Sequence, residues 1–189
     1  MIDITSDLNI PAFAAISRRC DREVEDIILG FGAHFDPKLA VHRALTEVNP
    51  LLPPVLAANA DGTTQYASSA DPPVINWWKT ATLQNQPYLV PASQIAAKVY
   101  SDYPLVDNED LLDDIKLCQQ IFEQKGMEML VLDQTRPDIG LRVVNVIVPG
   151  MRHFWKRVAL GRLYQVPVEL GGLEEAIAED KLNPIPVWL

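Results

Sequence analysis

Histidine and cysteine are scarce in this 189-residue chain, with three of the first and two of the second. Cys20 and Cys118 are too few and too far apart to frame a disulfide scaffold or a zinc site, and Cys20 reads as a core or surface thiol. His34, His42 and His153 have no carboxylate or cysteine at metal-ligand spacing. Positive charge is also short: 16 Lys and Arg face 25 Asp and Glu, for a net charge of -9. That balance excludes a nucleic-acid-binding surface, which needs clustered cations to neutralise phosphates. No apolar run approaches the ~18–20 residues of a membrane span, and no basic-then-apolar signal opens the chain. The expectation is a cytoplasmic protein with neither a nucleic-acid nor a membrane partner. The phosphate-cradling patterns G-x-x-x-x-G-K-[ST] and G-x-G-x-x-G are missing, since "GFG" followed by "AHFD" fits neither. There is no G-x-S-x-G elbow.

What is present is ordinary globular composition, 48% hydrophobic and 22% charged, long enough for one domain with a sizeable core. The 15 prolines punctuate it. "NIPAFAAI" (9–16) reads as a buried strand with Pro11 tolerated at its start. "IILGFGA" (27–33) reads as a second, with Gly30 and Gly32 allowing close backbone approach. Asp36 is placed to cap a helix whose first turn tolerates Pro37. In "PKLAVHRALTEVN", Ala40, Val41, Ala44, Leu45 and Val48 share one face, and Pro50, Pro53 and Pro54 stop the helix. Residues 50–106 are the weakest region, and 57–95 reads as a variable or flexible loop. There Trp77-Trp78 either anchors the loop or awaits a partner. Asp107 or Asn108 caps "EDLLDDIKLCQQIFEQK", with Leu111, Leu112, Ile115, Ile121 and Phe122 inward and Gly126 as the stop. Strands at 128–133 and 142–148 follow. The pattern predicts α/β or α+β layering, a mixed sheet covered by helices.

The chain also repeats itself. "DITSDLNIPAFAAI" and "DQTRPDIGLRVVNVIV" both run Asp-x-Thr, an Asp, then an apolar strand: Asp3, Thr5 and Asp7 against Asp133, Thr135 and Asp138. The second copy is led into by the strand "MEMLVL", whereas only Met1 and Ile2 precede the first. The expectation is two similar strand-loop-strand units, the first without its leading strand, and so a truncated domain.

Two places could carry chemistry. Arg43 and Glu47, four apart on the first helix, are either a surface ion pair worth well under ~1 kcal/mol or a metal-holding carboxylate beside a phosphate-steadying arginine. "VVNVIVPGMRHFWKR" ends a strand in a tight turn and a cationic cluster, Arg152, His153, Lys156 and Arg157, with Arg162 close behind. Guanidinium forks at a strand end suit an anionic ligand such as phosphate. A solvated loop anchored by Trp155 fits the same residues.

Together, "DITSDLNIPAFAAISR", "GFGAHFDPKLAVHRALTEVN", "DQTRPDIGLRVVNVIVPGMRHFW", "GRLYQVPVELG" and "NPIPVWL" resemble the C-terminal half of the YcaO domain, and most of all the cyclodehydratases of azole-modified, bacteriocin-type peptide pathways. The resemblance covers the chain apart from about 57–95. It implies an ATP- and magnesium-dependent enzyme that phosphorylates a backbone amide oxygen of a precursor peptide. A Cys, Ser or Thr of that peptide attacks, and loss of phosphate leaves a thiazoline or oxazoline. Such chemistry needs positioned cations and carboxylate-held magnesium more than a protein nucleophile.

The family's R-A-L-T-E-x-x-Q helix falls on Arg43 to Glu47. The resemblance thus implies Glu47 as a magnesium ligand, with Arg43 and Glu47 both at the nucleotide, while Pro50 replaces the glutamine. Arg136 and Arg152 match further arginines that contact phosphate or substrate. The catalytic proline-rich terminus falls on Pro184, Pro186 and the Leu189 carboxylate, in a shortened form. The family's earlier magnesium-carboxylate motif has no counterpart here. A fragment inactive alone is therefore expected, with the missing half and a leader-peptide-binding protein as partners and a homodimer among the assemblies allowed. A non-catalytic remnant that binds a precursor peptide or partner enzyme is the alternative, and thioamide formation the second.

Overall fold

A computed structural model describes residues 1–153 and 156–185 of the chain. These divide into two compact units, Met1–Val106 and a second beginning at Asp107. Helices and sheets are combined in both, as the sequence implies. All strand pairings among the described residues are antiparallel, which places the architecture on the α+β side of the expectation.

In the first unit, β1 (Ile2–Asp3), β2 (Ala12–Ser17) and β3 (Ile28–Ala33) form a three-stranded sheet in that order. Phe13 pairs with Gly32 and Ala15 with Gly30. Opposed residues of an antiparallel pair share a face, so both glycines lie on one side of the sheet. Helix α1 (Pro37–Val48) lies against that side, and Ala40 and Ala44 face it fully buried. A Cβ at Gly32 would run into the Ala40 carbonyl oxygen and the Ala44 amide, and one at Gly30 would lie 2.8 Å from the Val48 amide. Glycine on the strand and alanine on the helix thus let two backbones approach. Asp36 caps α1 by accepting from the Lys38 amide at 2.8 Å.

The buried stripe of α1 is narrower than its spacing suggests. Pro37, Ala40, Ala44 and Val48 are buried, while Leu45 is exposed. Nor do the prolines after α1 merely stop it. A 3-10 turn (Asn49–Leu51) leads into α2 (Leu52–Leu56), with Pro53 in its first turn, where a missing N–H costs nothing.

The region read as a loop has structure of its own. Helix α3 (Pro72–Thr80) buries Trp77 and Trp78, and the Trp77 indole donates to the Ile27 carbonyl at 2.8 Å. Trp78 stacks on Tyr66, with ring centroids 6.0 Å apart. The tryptophans are anchors.

The second unit holds α4 (Leu111–Gln124), the hairpin β4 (Leu130–Asp133) and β5 (Val144–Ile147), and α5 (Arg162–Glu169). The α4 cap is Asp110, which accepts from the Leu112 amide at 2.9 Å, and not Asp107 or Asn108. Gly126 ends α4 with φ +69, and the Met127 amide reaches back to the Phe122 carbonyl at 2.9 Å. That left-handed closure is a Schellman motif, cheapest for glycine. Leu111, Leu112 and Ile115, expected inward, are exposed, as is every residue of β4 and β5.

The duplicated Asp-x-Thr stretches fold alike. In β1–β2, Asp3 accepts from the Thr5 amide (2.9 Å), the Thr5 hydroxyl from the Ala12 amide (3.1 Å), and Ile4 donates to Ala12 (2.9 Å). In β4–β5, Asp133 accepts from Thr135 (2.8 Å), Thr135 from Val143 (3.1 Å), and Gln134 donates to Val143 (2.8 Å). The aspartate ends the first strand, the threonine clamps the second, and one extra residue is absorbed in the loop.

Candidate functional site

Helix α1 lies so close to β3 that its polar side chains reach the free edge of that strand. In an antiparallel strand, alternate residues turn their backbone groups to the same side. β3 is an edge strand, and Phe31 and Ala33 turn theirs away from β2. The Phe31 N–H donates to a Glu47 carboxylate oxygen, and Arg43 donates to the Ala33 carbonyl at 3.1 Å. Arg43 and Glu47 are therefore not paired with each other. Both clasp the same strand edge, which satisfies backbone groups otherwise open to a foreign strand. The second Glu47 oxygen has no hydrogen-bond partner among the described residues. Glu47 is half-buried, so a held carboxylate with one unengaged oxygen stands beside an exposed guanidinium.

The other sequence-predicted residues lie in the second unit. Arg136 forms a two-bonded fork on Asp138, at 3.1 and 2.6 Å, with both side chains exposed. The guanidinium keeps the Asp138 carboxyl below the usual carboxylate range. Arg152 donates to the carbonyls of Ala159, Leu160 (3.0 Å) and Arg157 (3.3 Å), and so holds the loop before α5 together. Pro184 is exposed. Pro186 and Leu189 lie outside the described residues, as does Trp155.

Two polar clusters were not anticipated. Asp26 is buried with φ +45, and its carboxylate accepts from the Thr64 and Tyr66 hydroxyls at 2.5 Å each and from Arg19 at 3.5 Å. Burial, then the bond to Asp26, pushes the Tyr66 phenol up to about 12. The second cluster is built on Asp3, which accepts from Lys98 at 2.5 Å and from the Tyr103 hydroxyl at 3.0 Å. Burial raises the Asp3 carboxyl, but the Lys98 and Thr5 bonds outweigh it and leave it below its ordinary value. Tyr103, itself up at about 12 through burial and Asp3, packs edge-on against Phe13, with centroids 5.4 Å apart. Asp3 was legible as part of a repeat. Nothing in "AKVYSDYP" marks Lys98 and Tyr103 as its partners.

The sequence profile of the YcaO cyclodehydratases, described as ATP- and Mg2+-binding, matches residues 1–152. The chain belongs to the YcaO family. Two solved structures, the heterocyclase TruD and a heterocyclase in complex with substrate and cofactor, are each 46% identical to it. They superpose with a TM-score of 0.85 over 99% and 98% of this chain, respectively, but the match spans only 24% of each heterocyclase. An uncharacterized protein of Methanothermobacter thermautotrophicus is 27% identical over 164 residues, which is 82% of this chain and 39% of that protein. The chain therefore spans well under half the length of these relatives.

The α1–β3 edge fits one corner of a magnesium-nucleotide site. Magnesium bound with a nucleotide takes one or two carboxylates, phosphate oxygens and waters, and Glu47 offers one such oxygen. Among the described residues, no cluster of three or more His, Cys, Asp or Glu side chains could hold a metal ion. A magnesium ion held there would need its further ligands from beyond these residues.

Proposed function

We propose that this chain contributes the Arg43–Glu47 side of the nucleotide site of an azoline-forming YcaO cyclodehydratase acting on a ribosomal precursor peptide. The likeness to heterocyclases at 46% identity over 98% of the chain carries this reading. ATP with magnesium would supply the phosphoryl group that activates a backbone amide and the cation that offsets its charge. Glu47 would hold the cation through its unengaged oxygen, while the Phe31 N–H keeps the carboxylate oriented. Arg43 would exchange the Ala33 carbonyl for a phosphate oxygen, a stronger, charge-assisted acceptor. Arg136 would do the same by leaving Asp138. Arg152 would act by shaping its loop, since three backbone carbonyls already engage both of its terminal nitrogens.

The test is thermal unfolding with and without magnesium-ATP. A ligand that binds only the folded state at 100 times its dissociation constant adds about 2.7 kcal/mol, a clear rise in midpoint. Glu47→Gln keeps an acceptor for Phe31 but loses the charge. It should melt close to the parent chain without ligand and lose most of the magnesium-dependent rise. A parent chain indifferent to magnesium-ATP would favour the second reading, a module that binds precursor peptide without turnover. The incomplete carboxylate set and Pro50 support that alternative. Mass analysis of a supplied peptide separates azoline from thioamide, since the first loses water and the second exchanges oxygen for sulfur.

A further inference from the structure

The two Asp-x-Thr hairpins have the same internal bonds and opposite surroundings. Pairing of Asp3 with Phe13 and of Asp133 with Val144 makes β2 the counterpart of β5, with Phe13 matching Val144 and Ala15 matching Val146. In the first unit, β3 pairs along β2, α1 covers the Phe13/Ala15 face, and Lys98 and Tyr103 take the second oxygen of Asp3. In the second, the chain leaves β5 for the Arg152-bound loop and α5 and does not return as a strand among the described residues. Val144 and Val146 stay 59% and 51% exposed, and the second oxygen of Asp133 has no partner there. An edge strand of alternating β-branched residues, without Pro, Lys or a bulge, is a template for another strand.

We propose that β4–β5 is a docking element for a segment of YcaO-domain polypeptide lying outside these 189 residues. That segment completes the hairpin as β3, α1 and Lys98 complete β1–β2. It adds an antiparallel strand along β5, lays an apolar helix on the Val144/Val146 face, and brings a lysine or arginine to Asp133. Two observations select this occupant. The internal copy shows what covers such a hairpin, and three quarters of each matched heterocyclase has no counterpart here. A basic contact also suits a chain of net charge -9, which disfavours a second copy of itself. The inference rests on family membership and the repeat, not on the nucleotide reading.

The experiment titrates the full 189-residue chain with one of the 46%-identical heterocyclases, cut back to the part without a counterpart here and verified as folded by circular dichroism. Hydrogen exchange on the unaltered chain should show the Val144–Ile147 amides becoming protected on binding. Val146→Lys, an exposed change that leaves the first unit intact, should weaken binding by at least about tenfold. Asp133→Asn should weaken it less and flatten its salt dependence. Unchanged exchange at β5, or equal affinity of the Val146→Lys and Ile147→Lys variants, overturns the proposal. So does concentration-dependent dimerisation of the chain alone that Val146→Lys abolishes, since the occupant is then a second copy. Because the readout is binding, loss of the nucleotide effect would leave this result standing.

Discussion

Asp26 shows how one residue can tie distant sequence together. Its left-handed backbone turns the carboxylate inward, where Thr64, Tyr66 and Arg19 satisfy it. The consequence is visible in the tyrosines. A phenol raised from 10 to about 12 binds its proton more tightly folded than unfolded. The stability it contributes is fully present below pH 10 and is lost as pH rises from 10 towards 12. Absorbance titration should therefore show Tyr66 and Tyr103 ionising late, with the last rise coinciding with unfolding. Tyr66→Phe should remove one late phenol, and early titration of all five tyrosines would refute the clusters. None of this was legible beforehand, because a buried aspartate carries no sequence mark when its two hydroxyl partners lie about 40 residues away. Arg43 and Glu47 were half legible. Their spacing put both on one side of a helix, but only the folded chain shows them clasping β3 rather than each other.

Elements were the most legible scale, because caps and glycines act locally. Asp36, Pro37 and Gly126 do what their chemistry predicts. The α4 cap came out two to three residues late because several acidic side chains competed for the position. Gly30 and Gly32 were readable as a close approach, and their energetic weight follows from what surrounds them. A side chain at Gly32 meets helix backbone, which cannot move aside as a flexible side chain would. Gly32→Ala should thus cost about 1–3 kcal/mol through overpacking and lower the melting midpoint. Gly62→Ala is a useful contrast within the same unit. Gly62 has φ +84 and only the Arg22 guanidinium nearby, at 3.9 Å, so roughly 1–2 kcal/mol of backbone strain is the whole effect. If Gly32→Ala melted like the parent chain, α1 would not lie against β3 as described. The Leu45 misreading has the same origin as that contact. An alanine-lined interface this narrow leaves no room for a fifth position.

Across the whole molecule, burial is uneven. The buried apolar side chains cluster before Val106, whereas among the described residues after it only Met127 and Tyr164 are buried. Hydrophobic periodicity reports that a face is built to be covered but not what covers it. That is why the stripe of Leu111, Leu112 and Ile115 and both strands of β4–β5 were expected inside and lie outside. Local opening costs little where few apolar contacts must be broken, so the two units should differ in amide exchange. The amides of β2, β3 and α1 should exchange only through the largest openings, and those of β4 and β5 orders of magnitude faster. Gly32→Ala should accelerate the first set and leave the second unchanged, because β4–β5 belongs to a separate compact unit. Equal protection of the two sets would mean that the second unit gains its stability from contacts other than its own buried side chains, and the docking role assigned to its exposed hairpin would then lose its physical basis.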